Sequence, residues 1–260
     1  MNKNKLIIIS GASRGIGKAF LDEFKNQNDS NITIGLNRTG SSGYKIDLTN
    51  KNETKKFIEK INMDEVSRII YIHAIGIDKF EPEGKPQKDS NNNEIDDEVY
   101  QSNVTTFLNL AKPLIKKISK ENIQTTICNI GSISDIYNVP YWQSFTKSKN
   151  IVRQFSKSIK EQNINSVILN TSSTLDEKLN TFGRINANTD YWQTSKELVN
   201  KSFELLDKSY LLKTKYLEAD FIKENPDFRE DYFTNLQKLY KHWQKELGYE
   251  GKTIPEGIRI

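Results

Sequence analysis

The chain has few of the features that mark secreted or membrane proteins. It holds one cysteine in 260 residues, Cys128, so a disulfide framework is excluded. Cys128 lies in the apolar run TTICNI, which suits a core side chain better than a nucleophile. No apolar run is long enough to cross a bilayer, and the opening MNKNKLIIIS is too short in apolar residues for a secretory signal. The expectation is a cytoplasmic protein with no membrane partner. Runs of like charge are also missing. Lys and Arg number 38 against 34 Asp and Glu, a net charge of +4 with the lysines dispersed. That distribution fits a solvated surface and gives no basic stripe for nucleic acid. No residue set reads as a metal site. Internal repeats and shifts of composition are absent too, so one domain over 1–260 is expected.

What is present is periodic. Hydrophobic residues make up only 35% of the chain, but Ile, Leu, Phe and Tyr recur in blocks, as in a globular domain long enough to bury a sizeable core. KLIIIS (Lys5–Ser10), NITIGL (Asn31–Leu36), SRIIYIH (Ser67–His73), TTICNI (Thr125–Ile130) and NSVILN (Asn165–Asn170) read as strands. They are near-continuously apolar, as parallel strands covered on both faces must be. Helical patterns at Ile16–Asn26, Thr49–Ile61 and Val99–Ser119 lie between them. This alternation predicts an α/β fold with a doubly wound parallel sheet. The polar stretch Glu81–Asp97, with its Pro and Gly, reads as a loop.

The first strand runs into SGASRGIG, Ser10 to Gly17, and then into a helix. Glycines at 11, 15 and 17 allow backbone to approach a pyrophosphate closely and let helix pack on strand. The free N–H groups of the new helix point at the anion. A plain structural turn is the alternative, and the strand–loop–helix setting favours a nucleotide.

The Gly-x-x-x-Gly-x-Gly spacing resembles the short-chain dehydrogenase/reductase family, and the resemblance extends to about residue 175. It implies a Rossmann-type domain with a cofactor-binding core over 1–175, followed by a lid and C-terminal helix over 176–260. It also implies that Gly11, Ser13, Arg14, Gly15, Ile16 and Gly17 cradle the dinucleotide. Where NAD-dependent members carry an acidic residue after the second strand, this chain has Asn37 and then Arg38. A carboxylate there would repel a 2′-phosphate, whereas a guanidinium pairs with it. With Arg14 nearby, NADP(H) is the expected cofactor; otherwise both are ordinary surface arginines. Asp47 and Leu48 resemble the adenine-contacting pair. HAIG, His73 to Gly76, stands at the family's Asn-Asn-Ala-Gly, which places Ala74 and Gly76 beside the cofactor. His73 itself reads as a structural histidine at the end of a buried strand.

The family's catalytic set is matched in part. Asn103 matches the asparagine that supports a proton-relay water, and Ser132 the serine that polarises the carbonyl. Lys149 matches the lysine that holds the nicotinamide ribose and lowers the tyrosine's pKa. Between them, thirteen residues after Ser132, the family's tyrosine is replaced by Phe145. A phenyl ring fills the volume of a phenol but cannot transfer a proton. Tyr141 is the nearest substitute. On a continuous helix it would lie about 12 Å along the axis from Lys149, but Pro140 suggests a helix start nearby, so Tyr141 is either a displaced proton donor or a packing residue. NTSST, Asn170 to Thr174, replaces the family's Pro-Gly, with Thr171 and Thr174 available to the carboxamide.

Beyond Leu175 the resemblance fades. Trp142 and Tyr191–Trp192 either stack on a substrate ring or pack between lid and body. A helix from Ser195 to Leu206 and a strand near Leu217–Phe221 complete the sheet. A helix over Asp231–Leu247 carries the stripe Phe233, Leu236, Tyr240, Trp243 and Leu247, expected to bury against its own body or a second subunit. Family members usually form dimers or tetramers, so a homodimer or homotetramer is expected. Three functions stand open: an NADP(H)-dependent oxidoreductase acting on a small carbonyl or alcohol substrate, sugar-like among the possibilities, with an altered proton donor; a catalytically silent NADP(H)-binding sensor or partner subunit; and a structural protein. The intact glycine loop, Arg38, Asp47 and Lys149 argue against the third.

Overall fold

The computed structural model describes residues 4–27, 31–81, 95–176, 181, 183–212, 215–222 and 233–259. Among these residues, seven parallel strands form one sheet. In chain order they are β1 (Asn4–Ser10), β2 (Ile32–Asn37), β3 (Tyr44–Lys45), β4 (Val66–His73), β5 (Gln124–Ser132), β6 (Ile164–Thr171) and, last, β9 (Tyr216–Phe221). Across the sheet the order is β3-β2-β1-β4-β5-β6-β9. The winding reverses between β1 and β4, where Ser10 lies opposite both Leu36 and His73. Two short strands, β7 (Thr174–Leu175) and β8 (Gln193–Thr194), pair separately. The strands read from sequence are all present, each within a few residues of its expected limits. The Ile-rich runs leave no polar face to turn toward water, so helices must cover both sides.

Those helices are α1 (Gly15–Gln27), α2 (Lys51–Lys60), α3 (Asp97–Tyr100), α4 (Thr106–Glu121), α5 (Ile133–Tyr137), α6 (Gln143–Ser158), α7 (Ser195–Leu212) and α8 (Leu236–Glu246). One face of the sheet, with Leu6, Ile8, Ile69 and Tyr71, packs on Phe57 of α2, Phe107 and Leu114 of α4 and Val152 of α6. The other, with Ile7, Ile9, Ile70 and Cys128, packs on Phe20 and Phe24 of α1 and Val199 and Leu206 of α7. A third cluster joins Phe80, Tyr141, Trp142, Leu239, Leu247 and Ile254, so α8 docks on its own chain.

The helix read over Val99–Ser119 is present and contains a π turn at Gln101–Thr105, a widening that inserts a residue and often sits at functional sites. The stripe of the last helix holds at Tyr240, Trp243 and Leu247, which pack in the third cluster, and is corrected at Leu236, which is 53% exposed while Leu239 is 0% exposed. The helix begins at Leu236, capped by the Asn235 side chain on Lys238 N–H, so Phe233 lies outside its periodicity; residues 231 and 232 of the expected helix lie outside the described residues. Most of the loop expected at Glu81–Asp97, residues 82–94, does so as well.

Candidate active site

A cavity of about 980 Å³ opens along the carboxyl ends of β1, β2, β4, β5 and β6, at the point where the winding reverses. One end is built by the glycine turn. Gly11 has φ of +79°, and a Cβ there would come within 2.8 Å of the Ala74 carbonyl oxygen. Gly17 does not line the cavity; a Cβ on it would strike the Gly11 carbonyl oxygen at 2.3 Å. Its role is to let α1 seat against the turn, while Gly11, Ser13, Arg14, Gly15 and Ile16 form the wall. Asn37, Arg38, Asp47 and Leu48 line the same end. The Asn37 Oδ1 accepts from Gly40 N–H at 2.6 Å and from the Thr39 hydroxyl at 3.0 Å. Its Nδ2 is buried with no partner among the described residues, so toward the cavity the side chain offers a donor rather than an acceptor. Two exposed guanidinium groups, the N-terminus of α1 and this unsatisfied donor make a cradle suited to phosphate.

The other end brings Ser132 and Lys149 to one wall with Ala74, Gly76, Phe145, Thr171 and Thr174. Ser132 caps α5, its Oγ accepting from Ser134 N–H at 3.0 Å, which leaves its own proton to be given to a ligand. Lys149 lies on the buried side of α6. Its Nζ donates to the Ile130 carbonyl at 2.8 Å and lies 5.3 Å from the centre of the Phe145 ring, a cation–π arrangement. Burial pushes the Lys149 ammonium down to about 8, against the pull of Asp135 and Asp78. Ser172 Oγ, also on the wall, is buried with no partner among the described residues.

Asn103 stands behind this wall rather than on it. From the π turn its Oδ1 accepts from Ile77 N–H at 2.8 Å and its Nδ2 donates to Ile77 O at 2.9 Å and to Ser148 Oγ at 2.9 Å. It therefore clamps the segment after β4 to α6. Tyr141 is not brought to the cavity. It sits just before α6 with φ of +70°, stacks on Phe80 at 5.4 Å and donates its hydroxyl to Leu236 O at 3.0 Å. The loop position read from Pro140 is present, but the side chain turns toward α8.

Several wall residues escaped the sequence reading. Asp78 and Arg184 both line the cavity near Lys149. Arg184 donates from Nε to Glu246 at 2.7 Å and from Nη1 to Ser173 Oγ. Its guanidinium lies 4.3 Å from the Trp192 ring centre and 5.2 Å from that of Trp243. Trp142, Trp192, Trp243 and Phe233 give this end an aromatic lining, while Tyr191 of the expected pair is not part of it. Behind it, Arg153 joins Asp135 of α5 at 2.6 Å, Asn170 of β6 at 2.7 Å and Glu218 of β9, fixing three elements around one buried cation. None of these partners is near in sequence, so no local pattern announces them.

The model of the short chain dehydrogenase family matches residues 5–174. The chain belongs to that family. Family membership accounts for the Rossmann-like sheet described above. A curated relative, 3-oxoacyl-(acyl-carrier-protein) reductase FabG of Buchnera aphidicola subsp. Baizongia pistaciae, is 31% identical over 145 residues, which span 50% of this chain and 55% of that protein. Among solved structures, a 4-hydroxyisoleucine dehydrogenase complexed with NADH is similar at TM-score 0.66 and 20% identity, covering 87% of this chain and 100% of its own. The closed form of a serine dehydrogenase complexed with NADP+ is similar at TM-score 0.65 and 14% identity, covering 82% and 94%. At these identities the structures share the family's fold with this chain.

Proposed function

We propose that this family member is an NADP(H)-dependent oxidoreductase that acts on a small carbonyl or alcohol substrate and uses a proton donor other than the family's tyrosine. The observation that carries the reading is the continuity of one cavity from the Arg14–Asn37–Arg38 cradle to Ser132 and Lys149. Ribose hydroxyls need an acceptor at the end of β2, and Asn37 has given its oxygen to Gly40 and Thr39. A 2′-phosphate needs donors, and the arginines and Asn37 Nδ2 supply them. The residues present fit the cofactor: the glycine turn would hold its pyrophosphate, and Lys149, Thr171 and Thr174 its nicotinamide half. The nicotinamide supplies or accepts hydride. Ser132 donates a hydrogen bond to the substrate oxygen, and the aromatic wall excludes water.

Phe145 supports a second reading, a silent NADP(H)-binding protein. Initial rates of NADPH oxidation with vicinal diketones and quinones separate the two. An enzyme turns over as wild type and loses about 10²-fold or more in Ser132→Ala. A silent protein shows no turnover until Phe145→Tyr places a hydroxyl between Ser132 and Lys149. No turnover in either protein overturns the oxidoreductase reading.

A further inference from the structure

The missing phenol leaves a chemical gap, and the cavity wall holds a group able to fill it. Among the described residues that line the cavity, two are carboxylates. Asp47 belongs to the phosphate end, and Asp78 shares its end with Ser132, Phe145 and Lys149. Asp78 is held on both sides. Before it, the backbone of Ile77 is gripped at N–H and C=O by Asn103. After it, Lys79 is tied to Asp96 and Glu98, each at 2.9 Å, and pairs with Arg259 across an antiparallel bridge. Phe80 N–H then bonds Ile258 O at 2.9 Å. The carboxylate cannot drift far from the wall while both neighbours are fixed.

Two cations act on Asp78, Lys149 on α6 and Arg184 on the segment before β8, and Arg259 near the C-terminus lines the same cavity. Arg184 is engaged by Glu246 and Ser173, Lys149 by Ile130 O, and Arg259 by Glu98. Asp78 is thus near cations that are already committed elsewhere. We propose that Asp78 is the acid–base residue of this site and takes the place of the family's tyrosine.

The inference rests on the oxidoreductase reading. In the reductive direction a bound reduced nicotinamide would supply the hydride that the carbonyl carbon accepts. The C=O π pair moves to oxygen, and the Asp78 O–H gives that oxygen its proton. The products are the alcohol, the oxidised nicotinamide and an Asp78 carboxylate, which solvent reprotonates. Ser132 holds the oxygen, and the Lys149 cation stabilises the carboxylate left behind. Burial raises the Asp78 carboxyl to about 6, against the opposing pull of Arg184 and Lys149. An acid in that range is protonated often enough near neutrality to serve as a donor. The rival is Lys149 itself, held near 8, and pH separates them.

Two measurements test the assignment. The first needs no turnover: the carboxyl ¹³C resonance that disappears in Asp78→Asn should titrate near pH 6 in the cofactor-free protein. It should move upward in Lys149→Met, because a cation that favours the carboxylate is gone. A midpoint near the ordinary 4 overturns the proposal. The second uses NADPH with 9,10-phenanthrenequinone and diacetyl. The wild-type kcat should fall above about pH 6. Asp78→Asn should lose about 10²–10⁴-fold in kcat with NADPH affinity unchanged. Adding Phe145→Tyr to Asp78→Asn should recover turnover, which repair of a merely structural defect would not explain. A break near pH 8 that survives Asp78→Asn assigns the proton to Lys149 and overturns the proposal, as does a wild type that binds NADPH and reduces neither probe. A wild type that binds neither NADPH nor NADH refutes the oxidoreductase reading instead.

Discussion

His73 ends β4 with its ring enclosed by Phe107 at 5.2 Å and Tyr71 at 6.3 Å, and its Nδ1 shares hydrogen bonds with Ser10 Oγ at 2.8 Å and Tyr71 Oη at 3.2 Å. Burial lowers its pKa to about 3; Lys149 adds to that, and the Asn103 backbone opposes it. The sign follows. Between about 3 and 6.5 the unfolded chain binds a proton on His73 that the folded one refuses, so this residue's contribution to stability is lost as pH falls through that window. Asp78, raised in the fold, acts with the opposite sign between its ordinary value and about 6. The difference between wild type and His73→Asn therefore isolates the histidine. In urea titrations from pH 4 to 7, the wild type should lose up to about 1.4 kcal/mol per unit of acidification relative to the variant. Parallel curves would mean that His73 is protonated in the fold. The sequence placed this histidine at the end of a buried strand, which is enough to anticipate a structural role. Its partners Ser10 and Tyr71 follow from the register of β1 against β4.

The elements divide into those that local pattern defines and those that packing defines. β1, β4, β5 and β6 were legible because apolar runs bounded by polar turns admit little else. The glycine turn was legible because Gly11 must adopt positive φ under Ala74. α8 was legible as a helix and in most of its buried face, since Tyr240, Trp243 and Leu247 pack as expected. Its first turn was not, because which of Leu236 and Leu239 is covered depends on where the helix starts. With the start at Leu236, Leu239 points into the cluster with Phe80 and Trp142 while Leu236 faces solvent. Leu239→Ala should cost about 2–5 kcal/mol in chemical denaturation, and Leu236→Ala no more than about 0.5. Equal costs at both positions would contradict this register. The substrate end was least legible: Arg184 meets Ser173, Trp192, Trp243 and Glu246 through long-range packing, and the π turn at Gln101–Thr105 leaves no mark in the periodicity of α4.

For the molecule as a whole, one sheet sets out a continuous groove with two unlike ends. One carries the glycine turn and two arginines. The other carries Ser132, Phe145, Lys149, Asp78 and Arg184 on its wall. The groove is proposed as a site for NADP(H), and a fluorescence titration of NADPH and NADH into the same protein tests that most directly. The arginines and the donor-only Asn37 predict that NADPH binds at least about tenfold more tightly, and that Arg38→Asp reverses the order by replacing a phosphate partner with a repelling charge. Equal affinities, tighter binding of NADH to the wild type, or no binding of either at millimolar concentration would contradict it.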